Sequence, residues 1–222
     1  MADILFVDQH LIALAKPSGI LCQPNDTEDP SLEAQAKAWI KKKFEKPGNV
    51  FLHAIHRLDR PVSGVVLFAR RDKALSRLNA ASREGLFSKK YFALIEGTFL
   101  EEEGILEHDL VKEEFLARPA RKGETHSKKC LLKYKTVKKF PSKTLLEIEL
   151  LTGRYHQIRA QLSATGHPIW GDRKYGSSAP TEFFFLHHAS LEFPHPMSGQ
   201  KILIEAPFPT YWDEIILNGL PL

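Results

Sequence analysis

Apolar residues along this chain recur with two periods, and the change from one to the other lays out its elements. Ile4–Val7 and residues 11–15 are short apolar runs separated by Asp8, Gln9 and His10, which predicts two strands. Lys16-Pro17-Ser18-Gly19 then turns the chain, because proline fixes φ and glycine tolerates the left-handed region. Asp29-Pro30 reads as a helix cap followed by proline at the first helical position. Leu32, Ala36, Trp39, Ile40 and Phe44 follow at helical spacing until Pro47-Gly48. After a polar loop comes an apolar strand over 65–69. Asp72 then caps a second helix, with Leu75 and Leu78 on one face and Gly85 at its end.

From there the period is two. Strands are predicted over 90–95, 130–137, 144–151, 183–186, 189–193 and 201–205. Leu146, Ile148 and Leu150 alternate with Glu147 and Glu149, the pattern of a sheet with one wet face. A helix is predicted over 155–164, stopped by Gly166, and Thr210 caps a last helix holding Trp212, Ile215 and Ile216. Strands outnumber helices and come in runs rather than in strict alternation with them. The expectation is an α+β fold: one domain over 1–222, with a large mixed, mostly antiparallel β-sheet flanked by helices.

Composition narrows the class. The 222 residues are 43% hydrophobic and 26% charged, the balance of an ordinary globular protein with room for a full core. No run of apolar residues reaches the roughly 18 that a membrane helix needs. The first residues carry no charged leader before an apolar run, so no secretory signal is expected. Cys22 and Cys130 are too few for a disulfide framework or a zinc cage. The expectation is a cytoplasmic protein.

Lys and Arg number 31 against 27 Asp and Glu, a formal charge of +4. The excess is uneven, with 11 basic and 3 acidic residues between Val111 and Lys143. Lys129, Lys133 and Lys135 share one parity of the strand expected there, so they point to one face. Such a face is expected to meet phosphates, with salt-dependent binding; the competing reading is a solvated edge.

Three polar clusters stand out. His53-Ala54-Ile55-His56-Arg57-Leu58-Asp59-Arg60-Pro61-Val62-Ser63-Gly64 contains a proline and a glycine that exclude a helix, so its side chains sit on a loop. Asp59 between Arg57 and Arg60 is either a carboxylate held ionised for chemistry or a turn cap paired for stability. His53, His56 and Asp59 have a spacing that suggests a metal site, but without a helix to converge them and without a fourth ligand. Leu151-Thr152-Gly153-Arg154-Tyr155-His156-Gln157-Ile158-Arg159 sits where a strand passes into a helix, as an anion clamp or an ordinary cap. Tyr91, within Ser88-Lys89-Lys90-Tyr91-Phe92, is a packing aromatic of a strand or a ring able to stack on a base.

Taken together, HRLDRPVSG, KKYFALIEG, LTGRYHQIRAQLSATGHPIWGDRKYG and LHHASLEFPHP, in this order, resemble the RluA family of RNA pseudouridine synthases. The opening DILFVDQHLIALAKPSGIL is similar to that family's first strand pair, and the resemblance runs from about Asp3 to about Pro209. It implies a catalytic domain that isomerises a uridine in structured RNA, ribosomal or transfer. Asp59 would attack or assist departure at the ribose C1′. Arg57 would enter the RNA stack in place of the flipped base, with His56 shaping that loop. Tyr91 would stack on the uracil and accept a proton, Arg154 would pair with Asp59, and Ile158 would pack against the base. Lys16 and Lys89 would be positive supports near phosphate.

Isomerisation is balanced in atoms, so no cofactor and no metal are expected, and the chain is expected to act as a monomer. Val62 stands where the family most often has threonine, and Tyr155 replaces a common threonine after the arginine of the third motif. Many relatives carry a small RNA-binding domain before the catalytic opening, on which this chain begins. Two competing readings are a non-catalytic RNA-binding module with no need of Asp59, and a metal-dependent nuclease built on His53, His56 and Asp59.

Overall fold

The computed structural model describes residues 2–26, 29–99 and 101–213. Among these are eleven strands. They are β1 (Ile4–Val7), β2 (Leu11–Lys16), β3 (His53–Ala54), β4 (Ser63–Ala69), β5 (Ser88–Glu96), β6 (Glu103–Lys112), β7 (Ala117–Pro119), β8 (Lys128–Lys139), β9 (Lys143–Leu150), β10 (Leu186–Pro194) and β11 (Lys201–Glu205). The α-helices are α1 (Leu32–Lys43), α2 (Asp72–Arg83) and α3 (Gln157–Ala164). This is the α+β class that the runs of strands predict. The chain gathers into two compact units. The first holds the residues up to Ser88 together with His188–Phe208; the second holds Lys89–His187 and the chain from Pro209.

In the first unit, β2 pairs antiparallel with β1 and β4, β3 with β4, and β10 with β11. β4 is buried at every position, and β2 nearly so, which is why both read as continuous apolar runs instead of alternating. Leu11, Ala13, Val65 and Leu67 form one core with Leu191, Phe193 and Ile204, closed by Ala74 and Leu78 of α2. The first helix starts later than Asp29-Pro30 suggests. Ser31 is its cap, its hydroxyl accepting from the Ala34 N–H at 3.2 Å, while Asp29 is engaged by Arg60. Asp72 is likewise the first residue of α2 rather than its cap, which is Arg71.

In the second unit the pairings β5–β9, β9–β8, β8–β6 and β6–β7 are antiparallel as well. Cys130, Leu132 and Tyr134 of β8 are buried, while Lys129, Lys133 and Lys135 between them are exposed. That face is charge-paired. Lys129 meets Glu107 at 2.6 Å and Lys133 meets Glu149 at 3.4 Å, and Lys135 stands opposite Glu103 and Glu147 in register. β6 and β7 have no counterpart in the expected elements. Glu103, Glu107 and Asp109 hide the alternation of β6, and they are acceptable in a strand because the lysines of β8 lie alongside.

The helix expected from residue 155 begins at Gln157, because His156 stands in the left-handed region (φ 51°, ψ 23°) and ends the preceding turn. Of the expected strand 183–186 only Leu186 lies in a strand; it opens β10, which runs on through the buried His187 and His188 and takes in the expected 189–193. At Thr210 a single 3-10 turn runs to Trp212. Ile215 and Ile216, expected in a last helix, lie outside the described residues. Among the described residues, no helix is long and apolar enough to cross a membrane.

Candidate active site

The first unit carries the HRLDRPVSG segment as a loop from β3 into β4, and several of the bonds that hold it are made to its backbone. Lys16, at the end of β2, is 1% exposed and turns its ammonium under the loop. It donates to the carbonyl oxygens of Val62 (2.7 Å), Arg60 (2.9 Å) and Pro17 (3.1 Å). Burial lowers its pKa to about 8, against the opposing pull of the Asp59 charge. An ammonium has three N–H donors and all three are engaged. The expectation of Lys16 as a support beside phosphate is therefore corrected: it is a buried scaffold for the loop that bears Asp59.

Cys22 holds the same loop from another side. Its sulfur accepts from the Leu58 N–H at 3.2 Å and donates to the Leu58 carbonyl at 3.3 Å, which fixes the peptide units on either side of the residue before Asp59. Burial pushes the Cys22 thiol up, so it stays a neutral donor. The Ser18 hydroxyl donates to the Pro61 carbonyl at 2.7 Å, and the Gly19 N–H donates to that of Arg60 at 2.9 Å. Asp59 itself closes a tight turn, its carbonyl accepting from the Val62 N–H at 3.0 Å, and its side chain is half-buried. The KPSG turn and Cys22 thus cradle the backbone on either side of the aspartate.

The flanking arginines do not share one task. Arg60 donates to the Gly19 carbonyl at 2.8 Å and pairs with Asp29 at 3.1 Å. Arg57 is exposed at the loop crest. His56 faces inward. Its Nε2 accepts from the Leu67 N–H at 3.3 Å and its ring stands edge-on to His188 at 5.2 Å. His188 in turn bonds the Val65 carbonyl through Nδ1 at 2.8 Å.

Where the loop enters β4, Gly64 has φ +120°, and a Cβ there would lie 2.2 Å from the His188 carbonyl oxygen. Only glycine lets the two backbones approach this closely. His53 meets Phe51 edge to face, with ring centres 4.6 Å apart. No three of His, Cys, Asp and Glu gather as a metal-binding group among the described residues.

The second unit carries the other candidates. Tyr91 is buried on β5 opposite Ile148 of β9. Burial lowers the pKa of Lys89, two residues earlier, and its Nζ lies 3.6 Å from where a Gly153 Cβ would stand. Arg154 is exposed on the turn before α3, and Ile158 is buried in the first turn of that helix. Gln157 organises the turn. Its Oε1 accepts from the Arg154 N–H at 3.0 Å and the Thr152 hydroxyl at 2.8 Å, and its Nε2 donates to the Leu131 carbonyl at 3.0 Å. Sequence reasoning assigned no role to Gln157 or Cys22. Gln157 lay inside a quoted motif, whereas a single buried thiol gives no pattern to read.

A half-buried carboxylate on a backbone-fixed loop is suited to nucleophilic or charge-stabilising chemistry, and an exposed arginine beside it to insertion into a stacked polymer. The sequence matches the RNA pseudouridylate synthase family over residues 10–164. It is 31% identical to the ribosomal large subunit pseudouridine synthase C of Vibrio vulnificus over 221 residues, covering 96% of this chain and 68% of that protein. Against the Escherichia coli K12 protein of the same name it is 32% identical over 223 residues, covering 93% and 67%. The human RNA pseudouridylate synthase domain containing 4 has the same fold, with a TM-score of 0.81 at 20% identity over 96% of this chain and 91% of that one. The chain whose KPSG turn and Cys22 cradle Asp59 belongs to the RNA pseudouridylate synthase family.

Proposed function

We infer that this enzyme isomerises uridine in large-subunit ribosomal RNA, with Asp59 as the essential carboxylate. The observation that carries the reading is the cradle under Asp59. Lys16, Cys22, Ser18 and Gly19 all bond the backbone from Leu58 to Val62 and none of these bonds uses the aspartate side chain. Pre-organising a reactive group through its main chain is how a site holds geometry without quenching the group.

The target base leaves the stack so that C1′ can be reached, at a cost of about a few kcal/mol, and Arg57 fills the vacated place. Asp59 attacks C1′ or assists departure there as the N1–C1′ bond breaks. The uracil turns and C5 bonds C1′; the C5 proton passes to Tyr91 as acceptor, and N1 ends protonated. No atom is gained or lost, so the reaction needs no redox partner. Arg154 serves as the counter-charge of Asp59, Ile158 packs on the base, and Lys89 supports phosphate. The enzyme works as a monomer in the cytoplasm, and its whole chain acts as one catalytic domain.

The test is to map pseudouridine in ribosomal and transfer RNA of cells with and without the gene, complemented by wild type or Asp59→Asn. The expected result is one or a few ribosomal positions that need wild type. The asparagine protein should bind RNA within roughly tenfold of wild type, about 1.4 kcal/mol, and restore nothing. Turnover by the verified Asp59→Asn protein removes the catalytic assignment, and a transfer RNA target alone removes the ribosomal one.

A further inference from the structure

Among the exposed aromatic rings of the second unit, Phe183 is stacked on Tyr211, and two others carry a cation. Phe115, in the turn from β6 to β7, is 63% exposed, and Tyr155, next to Arg154, is 38% exposed. Each has an ammonium over its ring: Lys174 Nζ lies 5.7 Å from the Phe115 centre and Lys112 Nζ lies 5.0 Å from that of Tyr155. Neither lysine has a carboxylate partner among the described residues, unlike Lys129 and Lys133 on β8.

The segments that bear these rings are distant in sequence and meet at one buried hub. The Tyr175 hydroxyl accepts from the Ala117 N–H at 2.7 Å and bonds His156 Nδ1 at 2.9 Å. Arg159 reaches His156 Nε2 at 3.0 Å and grips both oxygens of the buried Asp172 at 2.7 and 2.8 Å. The Tyr155 ring stacks on His156 at 3.9 Å. The rings are thus displayed on a rigid base. The segments that bear the rings carry Lys112, Arg118, Arg121, Lys122, Arg173 and Lys174 against Glu113, Glu114 and Glu124, and Arg118 occupies both Glu113 and Glu124.

We propose that this face docks the single-stranded RNA flanking the target uridine, with bases stacking on Phe115 and Tyr155 while Lys112 and Lys174 leave the rings for phosphates. A ring face that accepts a cation also accepts the face of any nucleobase, and stacking of this kind is tolerant of sequence. The displaced ammonium needs an anion nearby, and a phosphate backbone supplies one at each step. A pre-formed surface loses little freedom on binding, so modest contacts suffice. The proposal rests on the RNA-modifying reading for its ligand, but it concerns affinity and not turnover.

The experiment measures anisotropy of a labelled oligouridine with the full-length protein across a series of salt concentrations. Phe115→Ala and Tyr155→Ala are each expected to weaken binding about tenfold, and Tyr155→Phe to stay within about twofold of wild type. Replacing Lys112 and Lys174 with Gln should flatten the log–log salt dependence by about 0.7 for each phosphate lost. Alanine variants that bind like wild type overturn the proposal, as does a Tyr155→Phe protein as weak as Tyr155→Ala, or an unchanged salt slope. These results are separable from the catalytic reading. A wild type that binds the oligomer through these rings but never forms pseudouridine sinks the activity and keeps the surface.

Discussion

The ammonium of Lys16 lies 2.7 Å from the carbonyl oxygen of Val62, so a charge is buried under the loop that carries Asp59. Its pKa is about 8 in the folded protein, against 10.5 for an ordinary lysine. Between those two values the unfolded chain binds more protons than the folded one, so the contribution of Lys16 to stability rises with pH across that window. Lys16→Met abolishes this dependence and takes a donor from three carbonyls, of which that of Arg60 keeps the Gly19 N–H. The variant is expected to lose a few kcal/mol near neutral pH, at about 1–3 kcal/mol per buried acceptor. The gap to wild type should widen by up to about 3 kcal/mol as pH passes from 8 to 10.5. Denaturant midpoints across that range measure it, and a narrowing gap counts against a buried cation.

Cys22→Ala removes the acceptor of the Leu58 N–H and the donor to the Leu58 carbonyl. The expected cost is about 1–2 kcal/mol in stability, with kcat falling about tenfold while KM for RNA holds, as for a residue that aligns its neighbour. Cys22→Ser keeps a donor and an acceptor on a shorter bond and should recover part of kcat. Equal kcat for all three proteins would mean that the thiol is packing only.

Gly64→Ala places a methyl group 2.2 Å from the His188 carbonyl oxygen at a φ of +120°. Both the clash and the backbone conformation oppose it. A loss above about 4 kcal/mol, or insoluble protein, is expected. A soluble variant melting within a few degrees of wild type would show that β4 and β10 can separate there at little cost.

The triple change of Lys129, Lys133 and Lys135 to Gln should leave the salt dependence of RNA binding parallel to wild type. Lys129 and Lys133 are held by Glu107 and Glu149, and Lys135 sits between Glu103 and Glu147 in register. Exposed pairs of this kind are each worth about 0–1 kcal/mol, so stability should change little. Flattening of the slope on this triple variant would move the RNA contact to β8.

This reverses what charge along the chain suggests, and the reason shows what a sequence conveys. A run of lysines is visible, but the carboxylates that neutralise it come from β6 and β9 and are visible only as register. β6 escapes for the same cause, its acidic residues masking its period. Local signals fared better: β11 spans the expected residues, and the loop with Asp59 is where Pro61 and Gly64 exclude a helix. His156 stands at positive φ while bonding Tyr175 and Arg159, contacts that no local pattern reports. Arg60 and Asp29 paired across a span that no local pattern reports.

The approach of Gly64 to His188 also fixes when the loop can be finished. Val65 and the His188 that bonds its carbonyl are separated by 123 positions. At about 5–20 residues per second, a ribosome needs roughly 6–25 s to make that stretch. Throughout this interval β4 has emerged while β10, its neighbour at Gly64, does not yet exist. The Asp59 loop then rests on Lys16, Ser18, Gly19 and Cys22, all of which precede it in the chain. Order of synthesis therefore delivers the cradle first and the backing strand last, so the catalytic loop gains its final support only after most of the protein has been made.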